Sequence, residues 1–307
     1  MYLYFLPQGG FSDILTGLNE MIEYCKIYNR IILFDTQNSM YKINFSDYFY
    51  FNIENIIYDM DVIRNICKDI SSIYPNVIAD DMTDIINGKC RFNFTKDLIY
   101  IHKNTLILLP KEKRPETILF MTKFGGGCAY VIFKTLMFKQ NIISHVLDNY
   151  SQISKPYLCI QVRNTDIKSD YQLLYTQNKT LIHSYNSIYI ATDDINVLEY
   201  FKTQGLPIVN FTRFGTKKWK NLHGNKTISS NSKILDLISD IYLIVMADEF
   251  LSNSKGGFIQ MCRECRKNRD YISSKFIINT SVKKKKNISN PQNFTSVFNT
   301  LSRPLFK

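Results

Sequence analysis

The run Tyr157-Leu158-Cys159-Ile160-Gln161-Val162-Arg163-Asn164-Thr165-Asp166-Ile167-Lys168-Ser169-Asp170 breaks into two parts of opposite character. Its first half, Tyr157 to Val162, is short, apolar and bounded by polar residues, which predicts a buried strand. The second half delivers Arg163, Thr165, Asp166, Lys168 and Asp170 into one loop. In open α/β sheets a ligand sits beyond the carboxyl ends of the strands, so chemistry is expected in this loop.

Strands and helices alternate on both sides of it. Downstream, Ser187 to Ala191 reads as a strand ending in Thr192-Asp193-Asp194, Leu198 to Thr203 as a helix and Pro207 to Phe211 as a strand. Lys233 to Val245 is an amphipathic helix, Glu249 to Leu251 a short strand, Gly257 to Arg266 a helix and Lys275 to Asn279 a last strand. Upstream, Tyr2 to Pro7 is a strand. Gly9-Gly10 separates it from a helix with Ile14, Leu15, Leu18, Met21, Ile22 and Cys25 at helical spacing, and Arg30 to Phe34 is the next strand. A β-α-β start implies a parallel sheet. From about 40 to 110 the pattern blurs and carries no readable motif. Gly125-Gly126-Gly127 then precedes one long helix through Tyr130, Phe133, Leu136, Ile142, Ile143, Val146 and Leu147, which would join two domains. The expectation is an α/β protein of two Rossmann-like domains, 1–150 and 151–282, each with its own core, and a basic tail, 283–307, opening with Lys283 to Lys286.

With 45% hydrophobic residues among 307, the chain is expected to fold fully. Its net charge of +11 favours acidic partners such as nucleotide phosphates, but the lysine run carries part of that surplus, so no nucleic-acid partner is expected. Neither a G-x-G-x-x-G fingerprint nor a Walker A sequence occurs, which weighs against dinucleotide oxidoreductases and P-loop NTPases. The seven cysteines are an odd, scattered set, and Cys262 and Cys265 lack the further ligands a zinc site needs; they read as buried thiols in a reducing compartment. No metal site is expected. No apolar run is long enough to span a bilayer, and the opening residues lack a basic flank, so a soluble, cytoplasmic protein is expected.

Gln161-Val162-Arg163-Asn164-Thr165-Asp166 resembles the His-x-Arg-x-x-Asp motif of the GT-B fucosyltransferases, a group that includes α1,2-, α1,6- and protein O-fucosyltransferases and rhizobial chitin-oligosaccharide fucosyltransferases. Gln161 stands where that family has His. Three more segments extend the resemblance in order. Gly9-Gly10-Phe11-Ser12-Asp13 is similar to the family's Gly-rich first loop, facing donor and acceptor, and Ala191-Thr192-Asp193-Asp194 to its Ala-Thr-Asp-Asp strand end. Asp240, Ala247-Asp248 and Ser252-Asn253-Ser254-Lys255-Gly256-Gly257-Phe258 are similar to its Asp…Ala-Asp…Ser-x-x-Ser-Gly-Phe region, with Gly256 where a Ser often stands.

The resemblance implies a GT-B fold with an interdomain cleft, GDP-fucose as donor, a glycan or glycoconjugate hydroxyl as acceptor, and an inverting, metal-independent transfer. Asp240 would hold the guanine base, and Ser252, Ser254 and the backbone at Gly256 and Gly257 would line the phosphates at a helix N-terminus. Arg163 suits the departing diphosphate because its guanidinium forks onto phosphate oxygens and stays charged; the plainer alternative is an ion pair with Asp166. In the α1,6 members a Lys and a Glu follow the motif, and Lys168 and Asp170 fall one residue from each. Asp170 is thus the candidate base, with Asp13 and Asp166 as competitors. Asp240 has its own plain alternative, a place on the polar face of an amphipathic helix. A non-catalytic nucleotide-sugar or glycan binder on the same scaffold, or a transferase using another nucleotide sugar, are the remaining readings.

Overall fold

The computed structural model describes residues 1–277 apart from 40, 69, 71, 96–99, 126–127 and 216–224. The expected tail, 283–307, and two of the three consecutive glycines therefore lie outside the described residues.

Strand β1, Tyr2–Gln8, has Leu3 to Leu6 buried in succession, as a parallel strand must when layers cover both of its faces. Helix α1, Phe11–Tyr28, follows and lays Phe11, Ile14, Leu15, Leu18 and Met21 into the core at helical spacing. It stops at Asn29, whose left-handed backbone (φ 52°) directs its N–H to the Cys25 carbonyl. Strand β2, Ile31–Phe34, returns parallel to β1, and β3, Ile118–Phe124, pairs on the other side. Two-residue strands at Ile56–Ile57 and Ile73–Tyr74 complete a five-stranded parallel sheet.

The region from Tyr130 to Leu147 departs from expectation. Instead of one helix it forms a single turn, Tyr130–Phe133, a strand, Leu136–Phe138, and helix α2, Gln140–Ser151. Leu136-Met137-Phe138 alternates buried, exposed, buried and pairs antiparallel with Phe49–Phe51. Phe133 and Leu136, three apart, fit a helix, while Leu136 and Phe138, two apart, fit a strand, and the partner strand, distant in sequence, decided between them.

The second sheet is built from β4, Leu158–Val162; β5, Ile188–Thr192; β6, Ile208–Val209; and β7, Glu249–Leu251, in the parallel order β6-β5-β4-β7. Helices α3, Tyr171–His183; α4, Ile195–Thr203; α5, Ser230–Met246; and α6, Gly257–Lys267, connect and cover it. Period-two alternation sorts its central strands. Leu158, Ile160, Val162, Ile188 and Ile190 pack into an outer cluster with Leu174, Val197 and Phe201. Tyr157, Cys159, Tyr189 and Ala191 point the other way, into a larger cluster that also contains Leu3, Phe5 and Leu18 of the first sheet's layers. One hydrophobic core thus runs through both halves, where separate cores were expected.

Helix α5 is the hinge of this packing. Ser229 caps its start by accepting from the Ser232 N–H, and ten of its residues are buried. Its last carbonyls are met by arginines: Arg266 donates to Ile244 (2.6 Å) and Ala247 (2.9 Å), and Arg269 to Met246 (2.6 Å). Asn149 of α2 donates to Ser239 at 3.1 Å, with both side chains buried. The final strand expected at Lys275 to Asn279 is absent from its described part: helix α7, Arg269–Ser274, ends in a turn through residue 277. The backbone N–H groups of Lys275 and Phe276 donate to the Ile272 and Ser273 carbonyls and so serve a helix end and not a sheet edge, while the Lys275 ammonium reaches the Leu136 carbonyl. Cys262 and Cys265 are both buried and unbridged, as expected. Among the described residues, no helix is long and apolar enough to cross a membrane, and no cluster of His, Cys, Asp and Glu could hold a metal ion.

Candidate active site

Because β1 and β4 both end toward the same side, the loops that follow them face each other across a cleft. Its walls include Gly10, Phe11, Ser12, Asp13 and Tyr41 from the first half, and Gln161, Arg163, Asp166, Asp193, Asp240 and Phe258 from the second.

Gly9 makes the first wall possible. Its φ is +85°, and a Cβ there would fall 2.6 Å from the Asp13 carboxylate. That carboxylate accepts the Gly10 N–H at 2.8 Å, at the start of α1. Burial pushes the Asp13 pKa up; the Gly10 N–H and Arg163 offset this only in part, and Asp166 adds to it. Asp13 is therefore a shielded carboxyl group open to the cleft, the environment a general base requires.

The loop after β4 is stapled on three sides. The Asn164 N–H donates to Asp193 Oδ1 at 2.7 Å and Thr165 Oγ1 to Asp193 Oδ2 at 2.6 Å, while Asn164 Nδ2 reaches Asp194 at 2.9 Å. Asp194 also caps α4. From the other side, the Arg163 N–H donates to Ser254 Oγ at 2.8 Å, and Ser252 Oγ donates to Gln161 Oε1 at 2.8 Å. Thr165, Asp194, Ser252 and Ser254 thus brace the loop and do not line the cleft. Burial pushes the Asp193 carboxyl up, against the pull of its two hydrogen bonds and of Arg163.

Arg163 forks onto Asp166, with Nε to Oδ1 at 2.9 Å and Nη2 to Oδ2 at 2.7 Å. Burial opposes its charge, but Asp166, Asp193 and Asp13 around it outweigh burial and hold its pKa above the ordinary value. The ion pair with Asp166 is thus present, and both partners still line the cleft. Gly256, at φ +111°, comes so close that a Cβ there would lie 3.2 Å from Arg163 Nη1; any larger residue would press on the guanidinium. Gly256 and Gly257 open α6, whose first turn puts Phe258 into the cleft wall.

Two expected catalytic residues stand elsewhere. Asp170 is exposed and caps α3, accepting the Leu173 N–H at 2.9 Å. Lys168 is exposed and donates to the Asn164 carbonyl. Neither lines the cleft, because Lys168 folds back on the loop's own backbone and Asp170 is turned to the start of α3. Both competitors, Asp13 and Asp166, do, and Asp166 is held in the fork of Arg163.

The far end of the cleft holds Asp240, which the sequence reading named, and beside it Lys233, Asp236 and Leu237, which it passed over. Lys233, Asp236, Leu237 and Asp240 line it together, at the i, i+3, i+4, i+7 spacing of one helix face. The signal was legible: three polar residues on the stripe that should have been apolar. Asp236 is 4% exposed; it accepts the Arg213 N–H at 2.9 Å through Oδ2, while Oδ1 lies 3.4 Å from Arg213 Nη2 without forming a hydrogen bond. Asp240 accepts from the Tyr189 hydroxyl and lies 3.5 Å from Thr212 Oγ1. Burial, partly offset by Tyr189 and reinforced by Asp236, pushes the Asp240 pKa up to about 7. Tyr41 and Thr212 gave no local signal, since only folding brings them to the cleft.

No protein-family model matches the sequence, and no curated protein matches it. Solved structures do. The crystal structure of the fucosyltransferase NodZ from Bradyrhizobium superposes with a TM-score of 0.55 at 15% identity, over 85% of this chain and 92% of NodZ. NodZ α-1,6-fucosyltransferase soaked with GDP-fucose gives 0.56 at 14% identity, over 85% and 91%. At such identity the likeness is one of fold: two parallel α/β halves around a cleft, the GT-B arrangement.

Proposed function

We propose that this chain is a glycosyltransferase that moves fucose from GDP-fucose to a hydroxyl of a glycan or glycoconjugate, with inversion and without a metal ion. The observation that carries this reading is the meeting of Arg163, Asp13 and Asp240 in one cleft between two parallel sheets, on the fold of a fucosyltransferase. Guanine presents two adjacent N–H donors, which an ionised Asp240 can accept; Lys233 and Asp236 stand beside it on the same helix face. Arg163, released from Asp166, would fork onto the diphosphate, assisted by the N–H groups opening α6. Asp13 would take the proton from the attacking hydroxyl. The positive charge needed by the leaving diphosphate then comes from a guanidinium and a helix terminus, the work a divalent cation does in other transferases.

The decisive experiment is calorimetric titration with GDP, GDP-fucose, GDP-mannose and UDP-sugars, first in EDTA and then with Mg²⁺, followed by a transfer assay. Metal-independent binding of guanine nucleotides that is lost in Asp240→Ala supports the reading. Absence of binding to every nucleotide overturns it. One observation favours a second reading, a binding protein without transfer: Gln161 replaces the family's His, and its carbonyl is already engaged by Ser252. Tight donor binding with no turnover on any glycan would select that one.

A further inference from the structure

Apart from the cleft, a second hollow of about 330 Å³ is lined by Asn52, Lys134, Thr135, Met137, Tyr271 and Lys275. Its lining contains two ammonium groups and no carboxylate. Neither lysine pairs with an Asp or Glu among the described residues. Lys275 is 8% exposed, a burial that lysines seldom reach without a counter-charge. Its Nζ donates to the Leu136 carbonyl at 2.9 Å and stands 4.9 Å from the centre of the Tyr271 ring. That carbonyl, the Met137 sulfur at 3.9 Å and the ring face engage the ammonium group, but none of them supplies a counter-charge to its full positive charge. Burial accordingly lowers its pKa. Lys134 is exposed on the same hollow, and Asn52 adds an amide.

We infer that this hollow is an oxyanion site, taking a phosphate, sulfate or carboxylate group between Lys134 and Lys275. Charge decides the class of ligand: two cations in a partly desolvated hollow attract an anion and repel a third cation. The rim decides its preferred form. Tyr271 and Met137 of the lining are 52% and 41% exposed, and an exposed ring and thioether beside two cations offer apolar surface on which a sugar ring can pack. An acidic or phosphorylated sugar would meet both features, and the free ion only the first. The site stands whether or not the cleft is a fucosyltransferase centre.

The test is calorimetric titration of the full chain with inorganic phosphate, sulfate, glucuronate and a sugar phosphate at low salt. It is run on the wild type, on Arg163→Ala to silence anion binding in the cleft, and on Lys134→Gln. Lys134 is exposed and unpaired with any carboxylate, so that variant should fold; Lys275→Gln, which also loses a structural bond, is compared only if its thermal transition is retained. Anion binding should persist in Arg163→Ala and weaken at least about tenfold in Lys134→Gln. Tighter binding of glucuronate or sugar phosphate than of inorganic phosphate would assign a sugar-borne group, and equal affinities the free ion; both support an oxyanion site. Binding that vanishes in Arg163→Ala, that is unmoved by Lys134→Gln, or that is absent from the wild type would overturn it.

Discussion

At the scale of single residues, Asp13 and Asp170, both candidates for the base, stand in opposite surroundings. Burial at the mouth of α1 raises the Asp13 carboxyl, whereas Asp170 is exposed and spends its side chain on the α3 cap. Under the proposed reading Asp13→Asn lowers single-turnover transfer by ~10²–10⁴-fold with donor affinity retained. Asp170→Ala instead loses about 1 kcal/mol of stability in urea titrations and keeps its turnover. Arg163→Ala should reduce transfer by ~10²–10³-fold, with Arg163→Lys no substitute, because a point charge cannot fork onto two oxygens. Asp240 adds a pH dependence. Under the same reading its carboxylate must be ionised to accept both base N–H groups, so GDP affinity should fall as pH drops through about 7, and Asp240→Asn should flatten that profile. The same raised pKa makes the native state hold this proton more tightly than the unfolded chain does. Its contribution to stability is therefore complete at acid pH and is lost as pH rises toward 7.

At the scale of elements, strands with continuous apolar runs and helices with clean stripes were readable, since burial on both faces or on one face writes those periods directly. The stretch from Tyr130 to Phe138 was not. Its apolar spacing fits a helix as well as a strand, and the antiparallel partner at Phe49–Phe51 settled it from far away in sequence. Helix α5 shows how the cleft depends on distant support. It carries Lys233, Asp236 and Asp240 on one face, while its C-terminal carbonyls are closed by Arg266 and Arg269 from outside the helix. Arg266→Ala leaves the Ile244 and Ala247 carbonyls without that donor, and a loss of about 1–3 kcal/mol is expected in chemical denaturation. An unchanged midpoint would mean that other groups close this helix end.

At the scale of the whole molecule, the continuous core joining both sheets has a thermodynamic consequence. Leu3 and Leu18 from one half share a cluster with Cys159, Tyr189 and Ile241 from the other, so neither half buries its apolar surface alone. Calorimetry should show one transition with equal calorimetric and van't Hoff enthalpies; two resolved transitions would show that the halves unfold independently. What the sequence by itself determined is local and periodic. It specifies a parallel α/β class, the strand that ends at Val162, and a charged loop beyond it, because side-chain periodicity and turn residues act over a few neighbours. What only tertiary structure decided is which of those charges face the same space. Asp13, Tyr41, Arg163, Thr212 and Asp236 meet because two sheets share one core and point their strand ends into one cleft. Asp170 is left outside it because α3 turns away, and no spacing along the chain encodes that distance.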